Sequence, residues 1–250
     1  MTARTWPATG RNIVVTAAAS GIGRAIAERF VANGDKVVGL DIKSAGMVDL
    51  GLALTFEGSA GDPALLAEVL EKAEAALGPL DVLVCGAGIG TFATIPDLPI
   101  EKWDEIFTVN VRGPFLMAKL GIPYLRRAGG GVIINIASQL GFVVAPGMTA
   151  YCASKGALIQ LTRGLAVDHA LEGIRVNAVC PGPTDTPSVR AAIAFARDPV
   201  AAEKTLTGAS AMKRLLEPAE VAGSAFFLAS PDATGITGET LVVDAGYLLS

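Results

Sequence analysis

Tyr151 and Lys155 stand four residues apart in Tyr151-Cys-Ala-Ser-Lys155, and Ser138 precedes the tyrosine by thirteen residues. On a helix, residues four apart share a face one turn from each other, so the ammonium can lie beside the phenol and favour its phenolate form. At a separation of roughly 4 Å and an effective dielectric of about 20, the attraction is about 4 kcal/mol, or about three pK units. A phenol of ordinary pKa near 10 is then expected to approach about 7, where a side chain can both give and take a proton. The spacing alone is a weak signal in a chain with three tyrosines and eight lysines. Its force comes from the elements that precede it.

Asn12 to Thr16 (NIVVT) reads as a buried parallel strand, followed by Ala17-Ala-Ala-Ser20-Gly21-Ile22-Gly23 and a helical pattern closing near Gly34. A second apolar strand, Lys36-Val-Val-Gly-Leu40, ends in Asp41. Strand, glycine turn, helix, strand, acid is the order of a dinucleotide-binding unit, in which helix N-terminal amides meet the pyrophosphate and the carboxylate takes ribose hydroxyls. Further strands are expected near 53–57, 80–85, 131–137, 174–180 and 239–243, with helical segments between them. This alternation predicts a single α/β domain over residues 1–250, a doubly wound parallel sheet of about seven strands with helices on both faces. Asp62 reads as the N-cap of a helix over 63–77, because Pro63 suits its first turn. A helix over 153–171 carries His169 near its end, in a solvent-facing or capping role. The longest stretch outside the rhythm is Pro187 to Arg214.

With these motifs in place, the chain resembles the short-chain dehydrogenase/reductases of about 250 residues, a Rossmann-fold family, over essentially its whole length. Thr16, Ala17, Gly21 and Gly23 answer to the family's Thr-Gly-x-x-x-Gly-x-Gly, and Cys85-Gly86-Ala87-Gly88 to its Asn-Asn-Ala-Gly. The resemblance implies catalytic roles for Asn110, Ser138, Tyr151 and Lys155. It implies cofactor contacts from Thr16, Ala17, Ser20, Gly21, Ile22, Gly23, Asp41, Ser59, Ala60, Gly86, Ala87 and Gly88. Tyr151, Lys155 and the turn residues Pro181, Gly182, Thr184 and Thr186 complete that set. Thr237 to Gly246 also fits the family's carboxy-terminal stretch.

In the implied mechanism Tyr151 exchanges a proton with the substrate, Lys155 lowers its pKa and holds the nicotinamide ribose, and Ser138 steadies the substrate oxygen. Asn110 bends its helix and positions a water. Two departures stand out. Alanine at 17 is costly if that turn needs a positive φ, and its methyl crowds the cofactor's approach. Gly86 removes a side chain that braces the end of the fourth strand, so weaker local order is expected there. Ser59-Ala60 stands where the family has an Asp-Val pair.

Composition narrows the classes. With 51% hydrophobic and 18% charged residues the chain can bury one large core. A net charge of −4 without a basic cluster argues against nucleic acid. The absence of an apolar run of eighteen residues argues against a membrane span. The start, MTARTWPATGRN, lacks the apolar core of a signal peptide, so a cytoplasmic protein is expected. Cys85, Cys152 and Cys180 have no metal-ligand spacing and read as buried thiols, and one histidine supports neither a catalytic triad nor a His-rich zinc site.

Asp41 favours NAD over NADP because a carboxylate accepts from both ribose hydroxyls and repels a 2′-phosphate. Ser20 offers no cation, and Lys43 is the one counter-signal. Ile89, Gln139, Leu140, Phe142, Val143, Met148 and a lid over Ala191 to Ala196 are expected to line the substrate pocket, with Ser138 and Tyr151 at its reactive end. Their apolar character predicts a neutral secondary alcohol or ketone. Arg190 and Arg197 flank the lid and leave a 3-hydroxy acid, as in hydroxybutyrate-type members, as the alternative. A reading of another class, a non-catalytic NAD(H) sensor, is motivated by Ala17 and Gly86 and opposed by the complete catalytic set. Apolar surplus on the helices around 100–127 and 150–171 predicts a homo-oligomer, a tetramer or dimer.

Overall fold

The computed structural model describes residues 7–249, so Met1 to Trp6, part of the start read above for a signal peptide, lie outside the described residues. Seven parallel strands form one sheet in the order β3-β2-β1-β4-β5-β6-β7. They are β1 (Asn12–Thr16), β2 (Lys36–Asp41), β3 (Leu54–Glu57), β4 (Val82–Cys85), β5 (Gly131–Ile136), β6 (Ile174–Pro181) and β7 (Thr240–Val243). β1, β4, β5 and β6 are buried throughout, as apolar runs covered on both faces must be. The third, fourth and seventh strands begin one or two residues later than the sequence pattern suggests, the fifth ends one residue earlier, and the sixth runs one residue longer.

The helices are α1 (Gly21–Ala32), α2 (Pro63–Leu77), α3 (Ile100–Phe107), α4 (Gly113–Arg127), α5 (Thr149–His169), α6 (Pro187–Ala194), α7 (Pro199–Gly208) and α8 (Pro218–Leu228). α1 and α8 bury Ile26, Phe30, Val221 and Leu228 against one face of the sheet. α2 and α4 bury Leu66, Leu70, Met117 and Leu125 against the other. Asp62 caps α2 as expected, its carboxylate accepting from Ala64 and Leu65 N–H. α5 begins four residues before the expected start and ends at His169, whose Nδ1 lies 3.1 Å from Glu172. The segment 187–214 contains two helices, each started by a proline after a capping Thr186 or Asp198.

One polar element sits inside the apolar layer. Arg11 and Asp35 are both almost fully buried, with Nη2 2.6 Å from Oδ2 and Nε 3.1 Å from Oδ1. The guanidinium lies 5.1 Å and 5.0 Å from the ring centres of Phe30 and Phe226 and donates to the Ala229 carbonyl. It ties the start of β1 to the ends of α1 and α8. Strand order reverses between β1 and β4, both of whose neighbours lie outward, and the crevice over their carboxyl ends is where such sheets bind ligands.

Candidate active site

The crevice is built from the turn after β1. Ala17 adopts φ +58°, so the turn does need the left-handed region, at a cost of order 1–2 kcal/mol for a residue with a Cβ. Gly23 is required by close approach, since a Cβ there would stand 2.1 Å from the Ala17 carbonyl oxygen. Ser20 is the N-cap of α1 but makes no side-chain cap, and the first turn holds no acidic residue. The first-turn amides therefore keep their positive field for an anion. Asp41 stands at the end of β2, its Oδ2 accepting from Ala19 N–H at 3.0 Å and its Oδ1 from Lys43 N–H at 3.2 Å. Ser59 accepts from Gly61 N–H, next to the half-buried Ala60.

Thr16 joins β1 to β4. Its hydroxyl accepts from Gly86 N–H (3.0 Å) and Ala87 N–H (3.3 Å) and donates to Val84 O (3.4 Å). A Cβ at 86 would lie 2.5 Å from the Thr16 carbonyl oxygen, so this backbone path admits only glycine. The Thr16 hydroxyl braces the end of β4 through these bonds.

Ser138 follows β5, is 7% exposed and accepts from Leu140 N–H at 3.1 Å. Tyr151 lies in the first turn of α5, near enough to Ser138 for that hydroxyl to favour its phenolate. Lys155 lies one turn on, 2% exposed, its Nζ donating to the Ile136 carbonyl at 2.8 Å and standing 5.6 Å from the Tyr151 ring centre. The expectation of a phenol lowered toward neutrality is corrected here. The ammonium is committed to a carbonyl, and burial pushes the phenol above its ordinary range, with the Ser138 hydroxyl opposing. Burial also pushes the ammonium itself down to about 8. Cys85 and Cys180 are held as thiols, pushed by burial to about 12 and about 11. Cys152 is buried beside the tyrosine.

The Lys155 shift has a measurable consequence. A lysine whose native pKa lies below its unfolded value of 10.5 binds fewer protons when folded, so stability rises with pH between about 8 and 10.5. We expect Lys155→Met to melt higher than the parent protein at pH 7, with the gap closing as pH rises through that window. Paired thermal scans across pH check this, and a gap independent of pH contradicts it.

Asn110 lies in a π-helical turn, Thr108–Arg112, between α3 and α4. This is a recurrent device for re-aiming a side chain at functional sites. The residue is fully buried. Its Oδ1 accepts from Ile89 N–H (2.8 Å), and its Nδ2 donates to Ile89 O (2.8 Å) and Ser154 Oγ (2.9 Å). Gly88 and Gly90 bracket that contact, and Cβ atoms there would stand 3.1 Å from Lys155 Nζ and 3.0 Å from the Tyr151 ring. Sequence reasoning missed Gly90 and Ser154. No motif distinguishes a glycine needed for side-chain contact or a serine bonded within its own helix.

The turn after β6 closes the far end. Gly182 N–H donates to Val243 O, Thr184 Oγ1 donates to Gly182 O, and Thr186 caps α6 while its Cγ2 lies 3.2 Å from where a Cβ at Gly21 would stand. Pro181, Gly182, Thr184 and Thr186 thus lie across the crevice from the α1 turn. On the substrate side, Met148 Cε lies 3.6 Å from a Cβ position at Gly90, and Ala93 N–H donates to Gly147 O, joining the two walls. Leu140 and Ile89 are half-buried, while Phe142 and Val143 are exposed. Gln139 is 4% exposed, so it contributes little surface; its Oε1 packs against Gly182. In the lid segment 191–196, Ile193 is buried and Phe195 is 91% exposed. Arg190 is engaged by Asp185 at 2.5 Å and Glu203 at 2.6 Å, and Arg197 is exposed. Among the described residues no cluster of His, Cys, Asp and Glu could hold a metal ion, and no helix is long and apolar enough to cross a membrane.

The model of the enoyl-(acyl carrier protein) reductase family matches residues 16–248. The chain is 38% identical over 251 residues to 2-(R)-hydroxypropyl-CoM dehydrogenase of Xanthobacter autotrophicus, covering 95% of this chain and 98% of that one. It is 38% identical over 245 residues to cis-4-hydroxycyclohexanecarboxylate dehydrogenase of Sinomonas cyclohexanicum, covering 95% and 96%. Its fold matches ligand-free Thermoplasma acidophilum aldohexose dehydrogenase with a TM-score of 0.89 at 36% identity, over 97% of this chain and 95% of that one.

Proposed function

The chain belongs to the short-chain dehydrogenase/reductase family of oxidoreductases, and from that membership we propose that it is an NAD-dependent alcohol dehydrogenase or ketone reductase. Its substrate is a neutral secondary alcohol or the matching ketone, mainly apolar or cyclic. The observation that supports this reading is the placing of Ser138, Tyr151, the buried Lys155 and the Asp41 carboxylate at the carboxyl ends of one parallel sheet.

The residues fit a dinucleotide. The uncapped first turn of α1, with Thr16, Ala17, Ser20, Gly21, Ile22 and Gly23, would hold the pyrophosphate, and Asp41 the adenine ribose. Ser59, Ala60 and Gly86 to Gly88 would flank the adenosine side, and Pro181 to Thr186 the nicotinamide side. When bound, the nicotinamide supplies or takes up the hydride. Tyr151 Oη gives its proton to the carbonyl oxygen in reduction, and its raised pKa keeps that proton available at neutral pH. Ser138 Oγ would hold the same oxygen, and Lys155 Nζ, now donating to Ile136 O, would hold a ribose hydroxyl of the bound cofactor. In the oxidative direction the phenol must be deprotonated first, so alcohol oxidation rises with pH.

Two measurements test the reading. Asp41→Ser is expected to raise the ratio of kcat/KM for NADP over NAD by at least about tenfold, because a like charge facing the 2′-phosphate is removed. An unchanged ratio in steady-state kinetics contradicts the NAD assignment. A hydroxy acid is the second reading, favoured by the carboxylate in the name of one relative. The engagement of Arg190 by Asp185 and Glu203 weighs against it. Matched hydroxy acid and methyl ester substrates separate the two, and the ester is expected to be faster.

We also read the chain as one domain that assembles as a homo-oligomer. A groove of about 510 Å³ on α3, the π-turn, α4 and α5 is lined by Phe107, Val111, Phe115 and Leu161 together with Asp104, Thr108 and Arg112, and we read it as the seat of a second copy. Sedimentation as a monomer contradicts the assembly.

A further inference from the structure

Ser154 is fully buried on α5, between the tyrosine and the lysine. Its single hydroxyl hydrogen is given to the Tyr151 carbonyl at 2.7 Å, so toward Asn110 Nδ2, 2.9 Å away, Oγ can only accept. That fixes the asparagine amide. Its two N–H groups go to Ser154 Oγ and Ile89 O, leaving Oδ1 to receive Ile89 N–H. Asn110 therefore grips both main-chain groups of Ile89, and Ile89 lies between the two glycines at which a Cβ would stand 3.1 Å from Lys155 Nζ and 3.0 Å from the Tyr151 ring. Slack at Asn110 is slack in the wall that borders both catalytic groups.

We infer that Ser154 is a positioning residue for the proton transfer, acting through Asn110 on Lys155 and Tyr151. The inference rests on the function proposed above. The structure also contains its own control. Thr162, two turns further along α5 and equally buried, accepts from Asn135 Nδ2 at 2.9 Å and donates to Leu158 O at 2.8 Å. Ser154 and Thr162 make the same pair of hydrogen bonds. Only Ser154 leads to the loop that touches the tyrosine.

The experiment compares Ser154→Ala, Thr162→Val, Asn110→Ala and the Ser154→Ala/Asn110→Ala pair. Ionisation of the Tyr151 phenol is followed by tyrosinate absorbance with Tyr151→Phe as the blank, alongside thermal denaturation and steady-state kinetics. Ser154→Ala is expected to lower the phenol midpoint, as Asn110→Ala does, because slack in the wall at Gly88 to Gly90 admits water and relieves the burial that raises it. It is also expected to lower kcat about tenfold with KM within about twofold. The pair is expected to be no slower than Asn110→Ala alone, as for residues acting as one unit. Thr162→Val is expected to lower Tm and leave midpoint and kcat unchanged. Ser154→Ala behaving like Thr162→Val, with Tm as the only change, overturns the inference. If Ser154→Ala does not fold, Ser154→Cys keeps a weak donor and acceptor and is expected to shift the midpoint less, in the same direction; no shift overturns the inference equally. The optical titration needs no substrate. Absence of turnover in the parent protein would count against the proposed function, while the midpoint would still decide the role of Ser154.

Discussion

Tyr151→Phe is expected to lower kcat/KM by about 10²–10⁴-fold, the range for losing a positioned general acid, while NADH binding stays near that of the parent protein. The substitution removes one oxygen and keeps the ring that packs beside Gly90 and Met148. What is lost is the hydroxyl that meets Ser138 and carries the proton. The three cysteines do not take its place, since Cys85 and Cys180 are held as thiols and Cys152 is buried. A kinetic comparison with a binding titration on the same preparation checks both halves. A variant that retains more than a tenth of the activity would show that the proton travels by another route.

Asp35→Ala is expected to destabilise the protein by about 3–5 kcal/mol, the cost of breaking a buried ion pair from one side. The carboxylate accepts from Arg11 Nε, Nη2 and backbone N–H, and from Asn33 Nδ2. Without it the Arg11 guanidinium keeps only the Ala229 carbonyl and two ring faces inside the apolar layer. For a chain of 250 residues this corresponds to a fall in Tm of roughly 10 °C. Arg11→Met with Asp35→Leu is expected to recover more than half of the loss, because the desolvated charge disappears with its partner. Calorimetry of the two variants decides. An Asp35→Ala protein that melts with the parent would place the pair among ornamental surface bridges despite its burial.

The parts of the molecule legible in the sequence are those where one local rule dominates. Asp62 followed by Pro63 marks the start of α2 because capping chemistry is local. NIVVT followed by the glycine turn marks β1 and α1 because a buried strand and a close backbone approach leave few residue choices. The parallel strand order places Asp41, Ser138 and the 181–186 turn at the carboxyl ends of the strands.

Where two distant segments decide the outcome, the sequence pattern is silent. The i, i+4 spacing of Tyr151 and Lys155 predicts an attraction that lowers the phenol, yet the ammonium turns to the Ile136 carbonyl and burial raises the phenol instead. Gly86 looks like a lost brace until the Thr16 carbonyl is found where a Cβ would stand. Arg190 looks like a carboxylate anchor until Asp185 and Glu203 are found on either side of it. Gly90 and Ser154 carry no sequence signature because their importance lies in what crosses over them.

The central claim, NAD-dependent turnover of a neutral secondary alcohol or ketone, is tested most directly by initial rates over a panel of secondary alcohols, cyclic ketones and 3-hydroxy acids, with NAD and NADP in parallel. The account predicts NADH formation from neutral secondary alcohols that rises with pH, favours NAD over NADP and vanishes in Tyr151→Phe. Equilibrium binding of NADH with no turnover of any member of the panel would contradict it and would make the protein a cofactor sensor.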